Sequence, residues 1–213
     1  NPSKNSLKLP QLVALKATAE GNLADVITKN TNYNNKVNER ISAFSGLKSL
    51  STRLVNALQT TNATPETIGN AKTFNRKMQG KKASATQTST ESNTPAPTTI
   101  STSQQSYDQL IQHLAGLNSV LEAETSYTPN ETDLQVPKIQ AIIADLTTKN
   151  TAVATAYTSI SNSRIARNET LYSSATSLVE TALEVKKYVK SVFGATSPQY
   201  AQVKSIEFSK PRL

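Results

Sequence analysis

A heptad pattern between Pro137 and Gly194 constrains the fold more than any other feature of the sequence. Alternating steps of four and three residues fall mostly on apolar side chains, which is the spacing of one face of a long α-helix. The positions are Ile139, Ile143, Leu146, Asn150, Val153, Tyr157, Ile160, Arg164, Arg167, Leu171, Ser174 and Leu178. Buried polar groups at the interruptions would fix the register of the helix against its neighbours. The pattern predicts two long helices of an all-α bundle.

An earlier segment repeats this pattern 127 residues upstream. Leu12, Leu23, Val26 and Phe44 fall on positions of the same seam, and Arg40 matches Arg167. Prolines that mark helix entries recur at the same distance, and a Ser/Thr-Pro pair that can cap a helix follows in both copies. We therefore predict an elongated up-and-down bundle built from two tandem repeat units.

The predicted repeats are residues 1–81 and 105–213, joined by a linker at 82–104. The linker is rich in Ser, Thr, Gln and Pro and has almost no large apolar side chains, so burial cannot offset the entropy of ordering it. A helix from about Gln105 to Glu124 opens the second repeat and has no counterpart before Asn1. We expect the chain to begin inside a longer protein, and we expect the two units to dock into one bundle, with dimerisation as the alternative cover for an apolar stripe.

Local signals set the expected limits of the other helices. The first long helix should run from about Leu9 to Phe44, and a second helix should follow over about 47–60. We expect no break in the first helix at its asparagine cluster, which is Asn30, Asn32, Asn34 and Asn35. Pro65 and Pro198 should each begin a short helix. After the long helix of the second repeat, the candidate caps of the next helix are Ser173, Ser174 and Thr176.

The net charge does not indicate a particular class of binding partner. Lys and Arg outnumber Asp and Glu by 23 to 15, a formal charge of +8, but these residues are mostly dispersed. Nucleic-acid binding would need them gathered along one face. The densest group, Lys186, Lys187 and Lys190, stands near a predicted helix C-terminus, where cations complement the helix dipole. We favour a solvated face there, with an anion-binding site as the alternative.

Motifs of catalysis and metal binding are not found in the sequence. The absence of cysteine excludes disulfides and thiolate metal sites, and a single histidine, His113, cannot supply a carboxylate–histidine set. We expect His113 to be surface or half-buried. There is no Gly-x-Ser-x-Gly elbow, no glycine-rich phosphate loop and no apolar run of membrane-spanning length. We therefore expect a non-enzymatic protein with no cofactor and no transmembrane segment.

Four polar residues are candidates for a functional or structural site: Arg40, Arg164, Arg167 and Asn168. Guanidinium groups buried in a helix seam need carboxylate or carbonyl partners, because an unpaired buried charge is very costly. Since an arginine recurs in both copies, a polar layer between helices is the favoured interpretation, and an anion-binding pocket is the alternative.

Three segments carry a resemblance to known proteins: residues 185–200, residues 163–168 and residues 127–131. They resemble a family of uncharacterised bacterial proteins with tandem helical repeats, and the first repeat departs from it where Val37 stands in place of an arginine. The resemblance implies no activity. The predicted function is a structural or protein-interaction bundle, with a protein partner or self-association and with nucleic acid not expected; the alternative is a module that binds an anionic ligand or nucleic acid through basic helix faces.

Overall fold

Helices joined by short turns make up the part of the chain that the structure describes. The computed structural model describes residues 2–80 and 105–210, and no strand occurs within these ranges. The predicted linker, residues 82–104, lies outside the described residues. The expected all-α bundle is confirmed.

Seven α-helices occur in the described ranges. They are α1 (Leu9–Phe44), α2 (Leu47–Gln59), α3 (Pro65–Met78), α4 (Tyr107–Ala123), α5 (Val136–Asn168), α6 (Leu178–Phe193) and α7 (Pro198–Lys204). A single 3-10 turn precedes α1 at Asn5–Leu7 and another precedes α5 at Thr132–Leu134, and a π-helical turn follows α5 at Glu169–Ser173. The expected limits of α1, α2 and α3 agree with these bounds to within one residue.

The first helix, α1, continues without a break through its asparagine cluster, as predicted. Asparagine is a poor helix former, so this segment relies on contacts beyond the helix itself. Tyr33 in the cluster packs against Tyr157 of α5, with ring centroids 5.9 Å apart.

Side-chain caps begin four of the helices: Thr64, Ser106, Ser177 and Ser197. The predicted caps of α6 are wrong, because the π-helical turn takes up Ser173 and the chain turns once more before Ser177. The Ser177 hydroxyl accepts a hydrogen bond from the amide of Glu180. Ser177 and Glu180 have the spacing of a capping box, which is the sequence signal that was overlooked. At its other end, α6 closes at Gly194, whose φ of +89° favours glycine.

The chain forms two compact units. The terminal unit consists of Asn1–Asn35 and Ala154–Leu213, and the central unit is Lys36–Val153. The boundaries between them fall within α1 and α5. These units are defined by packing, whereas the predicted limits 1–81 and 105–213 describe a repeat in the sequence and stay a prediction.

The hydrophobic core of the central unit is built by α2, α3, α4 and the first half of α5. Its fully buried side chains are mainly leucines: Leu54, Leu58, Met78, Leu114, Leu117, Leu121, Ile139 and Leu146. The ring of Phe74 on α3 lies against Gly116 on α4, where a Cβ atom would come within 2.3 Å of the ring. This glycine therefore sets how closely α3 and α4 approach.

The terminal unit has a thinner interior of mostly small and hydroxyl-bearing side chains. Its buried residues are Ala19, Ala156, Ile160, Ser163, Leu171, Ser177, Val179 and Thr181. Hydrogen bonds join α1 to α5 and to the π-helical turn, in the order expected of antiparallel helices. The Ser163 hydroxyl donates to the Asp25 carboxylate, and the side-chain amide of Asn22 donates to the Thr170 hydroxyl at 2.7 Å. Its larger apolar side chains are Ile160, Leu171 and Val179, far fewer than in the central unit.

The predicted seam of α5 is correct in the central unit and only partly correct in the terminal unit, where Ile160 is buried as expected. Ile139, Leu146 and Val153 are buried seven residues apart, as expected. Beyond Val153, however, Tyr157 and Arg164 are exposed, and the buried positions lie one residue earlier, at 156 and 163. The buried face of the helix rotates as its neighbours change: hydrogen bonds of α5 reach both α4 and the end of α1 in the central unit, and α1 in the terminal unit.

Candidate functional site

A polar network around Arg40 joins three helices of the central unit. The Arg40 Nη1 donates to Asn150 Oδ1 on α5 at 3.0 Å, and Asn150 Nδ2 donates to Asp108 Oδ1 on α4 at 2.7 Å. The guanidinium lies 4.0 Å from the ring centroid of Tyr107, which in turn packs edge-on against Phe44. Hydrogen bonds of this kind fix the register of one helix against another.

The charges of this network leave little attraction for an anion. The positive charge of Arg40 stacks on an aromatic face and is linked through Asn150 to the carboxylate of Asp108. The Nε of Arg40 is buried and has no hydrogen-bond partner. An anion that approached this donor would also come near Asp108 and lose part of the attraction. The arrangement suits helix packing better than ligand binding.

The other three candidate residues belong to the terminal unit. Both the Nε and the Nη2 of Arg167 donate to Asn168 Oδ1, at 3.1 and 2.8 Å, so the neighbouring amide occupies one edge of the guanidinium. Arg164 is exposed. The structure thus brings Arg167 and Asn168 together, and Arg40 belongs to the central unit. The assignment of all four to one polar layer or anion site stays a prediction.

The densest lysine group is largely engaged within the chain. Lys186 Nζ donates to the carbonyl oxygens of Lys204 and Ile206, at 3.0 and 2.5 Å, at the C-terminal end of α7. Lys190 Nζ lies 5.8 Å from the ring centroid of Tyr200. These contacts hold α7 on α6, and the side chains of Lys187 and Lys190 remain exposed.

His113 is buried rather than surface or half-buried, so that prediction is wrong. Its side chain is 6% exposed. The buried surface of α4 extends beyond the face formed by its leucines and includes the position of His113. Within residues 2–80 and 105–210, no three His, Asp or Glu side chains gather as metal ligands would. No described helix has both the length and the hydrophobicity needed to cross a bilayer.

A shallow cleft of about 390 Å³ opens between the α2–α3 turn and the turn that follows α4. Hydroxyl and amide groups line most of it: Thr60, Thr61, Asn62, Ser126, Thr128 and Asn130. At its base, the buried Tyr127 hydroxyl donates to the carbonyl of Leu134 at 2.9 Å. Burial, with a smaller effect from Glu131 and Asp133, raises the pKa of Tyr127 to about 12. The sequence did not reveal the cleft because its two walls are more than sixty residues apart.

A row of exposed apolar side chains on α1 is the surface that sequence reasoning missed. Leu9, Val13, Leu23 and Ile27 are 73%, 58%, 44% and 69% exposed. Between them stand Lys16 and Glu20, which form an ion pair with Nζ and Oε1 3.5 Å apart. We call these six residues the α1 stripe. Their spacing alternates between four and three residues, so they share one helix face next to the one that packs on α5.

Searches of protein-family models, curated proteins and solved structures find no match to this chain. The resemblance to bacterial tandem-repeat proteins therefore stays a prediction. The function has to be argued from the surfaces of the chain itself.

Proposed function

We propose that this protein is a non-enzymatic interaction module that binds a protein partner through the α1 stripe. The observation that carries the proposal is the exposure of four large apolar side chains in one row on a helix. Isolated exposed apolar residues are ordinary, but several on one helix face, here two pairs on either side of an ion pair, are typical of a surface that another molecule covers.

The uneven distribution of exposed apolar side chains supports this proposal. Of the large apolar residues that are exposed in the described ranges, all but Ile41 belong to the terminal unit. That unit also has the thinner interior. Full burial of a Val, Leu or Ile side chain is worth about 1.5–3 kcal/mol, so covering the stripe would add substantially to the stability of this unit.

The spacing of the stripe favours a helical partner. Residues at alternating steps of three and four form a straight row along a helix, and a second helix covers such a row by packing its own side chains between them. A catalytic pocket would instead need a concave site with a nucleophile or an acid–base pair. The α1 stripe is convex and offers neither.

Two tandem repeat units remain part of the proposal. The 3-10 turns at Asn5–Leu7 and Thr132–Leu134 are 127 residues apart, and a long helix begins two residues after each. Equal spacing of the same turn and helix supports a duplicated unit. In this arrangement the Arg40 network serves as a register device between helices.

Binding of an anionic ligand has less support. Lys186 and Lys190 already contact α7 and the residues after it, and Arg40 is linked to Asp108 through Asn150. Binding of this kind would weaken steeply as salt rises, whereas binding through the α1 stripe would weaken little.

Site-specific photo-crosslinking in cells that make the protein tests the proposal. A photoreactive amino acid at Ile27, in the stripe, should give a discrete crosslinked protein product. The control places it at Ile165 on α5, which is 57% exposed and lies outside the stripe. Equal products at both positions, or none at Ile27, would contradict the proposal.

A further inference from the structure

We infer that the α1 stripe binds a second copy of this chain, so that two α1 helices pack antiparallel around a twofold axis at Thr18. The inference rests on the proposed function and names its partner.

The α1 stripe is palindromic in position. Leu9 and Ile27 are equally distant from Thr18, and so are Val13 and Leu23. In a twofold interface, if residue i of one chain contacts residue j of the partner, then residue j of the first chain also contacts residue i of the partner. Antiparallel pairing around Thr18 meets this requirement, because it places Leu9 against the partner's Ile27 and Val13 against the partner's Leu23.

The charges of the stripe follow the same symmetry. Lys16 and Glu20 are also equally distant from Thr18, so Lys16 faces the partner's Glu20 and Glu20 faces the partner's Lys16. The ion pair within each chain is thereby replaced by two ion pairs between chains. In a parallel pair, Lys16 would face lysine and Glu20 would face glutamate, and like charges across an interface are unfavourable. The charge order selects the antiparallel arrangement.

The surroundings of the stripe leave room for a second helix. The face of α1 that packs on α5 contains Ala19 and Val26 and lies about 100° round the helix from the stripe. On the other flank stand Ala17 and Ala24, which are exposed and small enough for two helices to approach within 8–10 Å of each other. The partner can therefore add to the terminal unit without displacing α5.

The charge order is what distinguishes a second copy from an unrelated helix, since any row with steps of four, three, four, three and four is symmetric in position. A surface for a different protein requires only that its own side chains fit that protein, and nothing then relates the charge of Lys16 to that of Glu20. Antiparallel self-pairing requires opposite charges at these two positions. With four apolar layers and two ion-pair layers over about 27 Å of helix, the dimer should be reversible rather than permanent.

Charge reversal with sedimentation analysis tests the inference. Wild type should show a concentration-dependent dimer. Lys16→Glu and Glu20→Lys should each place like charges in both central layers and raise the dimer dissociation constant at least about tenfold, which corresponds to 1.4 kcal/mol. The double variant Lys16→Glu/Glu20→Lys should restore the dimer, and an equal mixture of the two single variants should form a heterodimer.

Both substituted side chains are exposed, at 73% and 64%, so circular dichroism should show unchanged helix content in every variant. Ile27→Asp should abolish the dimer, and Ile165→Asp, outside the stripe, should leave it intact. A wild type that stays monomeric at all concentrations, or a double variant that fails to dimerise, overturns the inference. If Ile27 then crosslinks to a different protein in cells, the proposed function still holds, so the two failures can be told apart.

Discussion

Asn118 is a buried amide whose Oδ1 has no hydrogen-bond partner. It lies on α4 among the leucines of the central core, with 5% of its surface exposed. A buried acceptor without a partner costs about 1–3 kcal/mol. Its presence on an otherwise apolar helix face is not explained by any contact in the structure.

Replacing this amide should stabilise the protein. We expect Asn118→Leu to raise the free energy of unfolding by about 1 kcal/mol, because leucine has the same branching at Cγ and no polar group to desolvate. Urea unfolding followed by circular dichroism measures the change. Asn75→Leu is the matched control: Asn75 Oδ1 accepts hydrogen bonds from Ser51 and Gln79, so its loss should destabilise. A destabilised Asn118→Leu variant would mean that the amide has a partner in solution.

The buried Tyr127 should make stability fall at alkaline pH. Its pKa is about 12 in the folded chain against the ordinary 10. As pH rises above 10, the unfolded chain loses this proton before the folded chain does, and ionisation therefore favours the unfolded state. We expect the unfolding midpoint in urea to drop more steeply between pH 10 and pH 12 in wild type than in Tyr127→Phe. Tyr157→Phe, at an exposed ring, should keep the wild-type slope. Equal slopes in Tyr127→Phe and wild type would show that Tyr127 ionises normally in the folded chain.

Single residues were the hardest features to place from the sequence. Arg164 was predicted within a buried seam and is exposed, and His113 was predicted near the surface and is buried. Both errors have one cause. Periodicity shows which residues share a helix face, but the neighbours of the helix decide which face is covered, and those neighbours come from distant parts of the chain.

Helix limits were predictable because their signals are local. Thr64-Pro65 and Ser197-Pro198 each supply a cap and a proline for the first turn, and the structure begins α3 and α7 there. The π-helical turn at Glu169–Ser173 was not predicted, since no residue preference marks a widened turn. It also explains the error at the start of α6.

The contact between α3 and α4 should make one glycine irreplaceable. Alanine ordinarily stabilises a helix by about 1 kcal/mol relative to glycine, and Gly69→Ala on α3 should do so because open space surrounds its Cβ position. At Gly116 the added Cβ would lie 2.3 Å from the Phe74 ring. Overpacking of this kind costs about 1–3 kcal/mol, so Gly116→Ala should destabilise. Thermal unfolding of the two variants measures opposite shifts.

A variant at Phe74 provides a control for the Gly116→Ala prediction. Phe74→Leu shortens the ring side chain and should remove much of the penalty, so Gly116→Ala should cost less in that background than in wild type. If Gly116→Ala alone raises the melting temperature, Phe74 moves aside freely and the close approach is not a constraint.

At the scale of the whole molecule, the order of the helices was predictable and their grouping was not. The sequence repeat groups residues by order along the chain, whereas each compact unit is assembled by packing. The central unit contains the leucine core, and the terminal unit contains nearly all the exposed large apolar side chains. The sequence also placed Leu23 in the same seam as Leu12 and Val26, although it lies on the exposed stripe and they do not.

Hydrogen exchange should distinguish the α1 stripe from the core of the central unit. If the α1 stripe pairs between chains, amides of residues 9–27 should become more protected as protein concentration rises, because local opening must first separate the two copies. Amides of α4, residues 107–123, should exchange at the same rate at all concentrations. Exchange at 9–27 that is independent of concentration, under conditions where sedimentation detects dimer, would place the interface on another surface.

The ion pair at the centre of the α1 stripe has a consequence for gene duplication. A duplicate that carried both Lys16→Glu and Glu20→Lys would remain complementary to itself, yet it would meet the original chain with like charges in both central layers. Two exposed substitutions, with no change in the fold, would then divide one population of chains into two that assemble separately. A twofold interface with opposite charges beside its axis thus allows two duplicated proteins to become insulated from each other in the same cell.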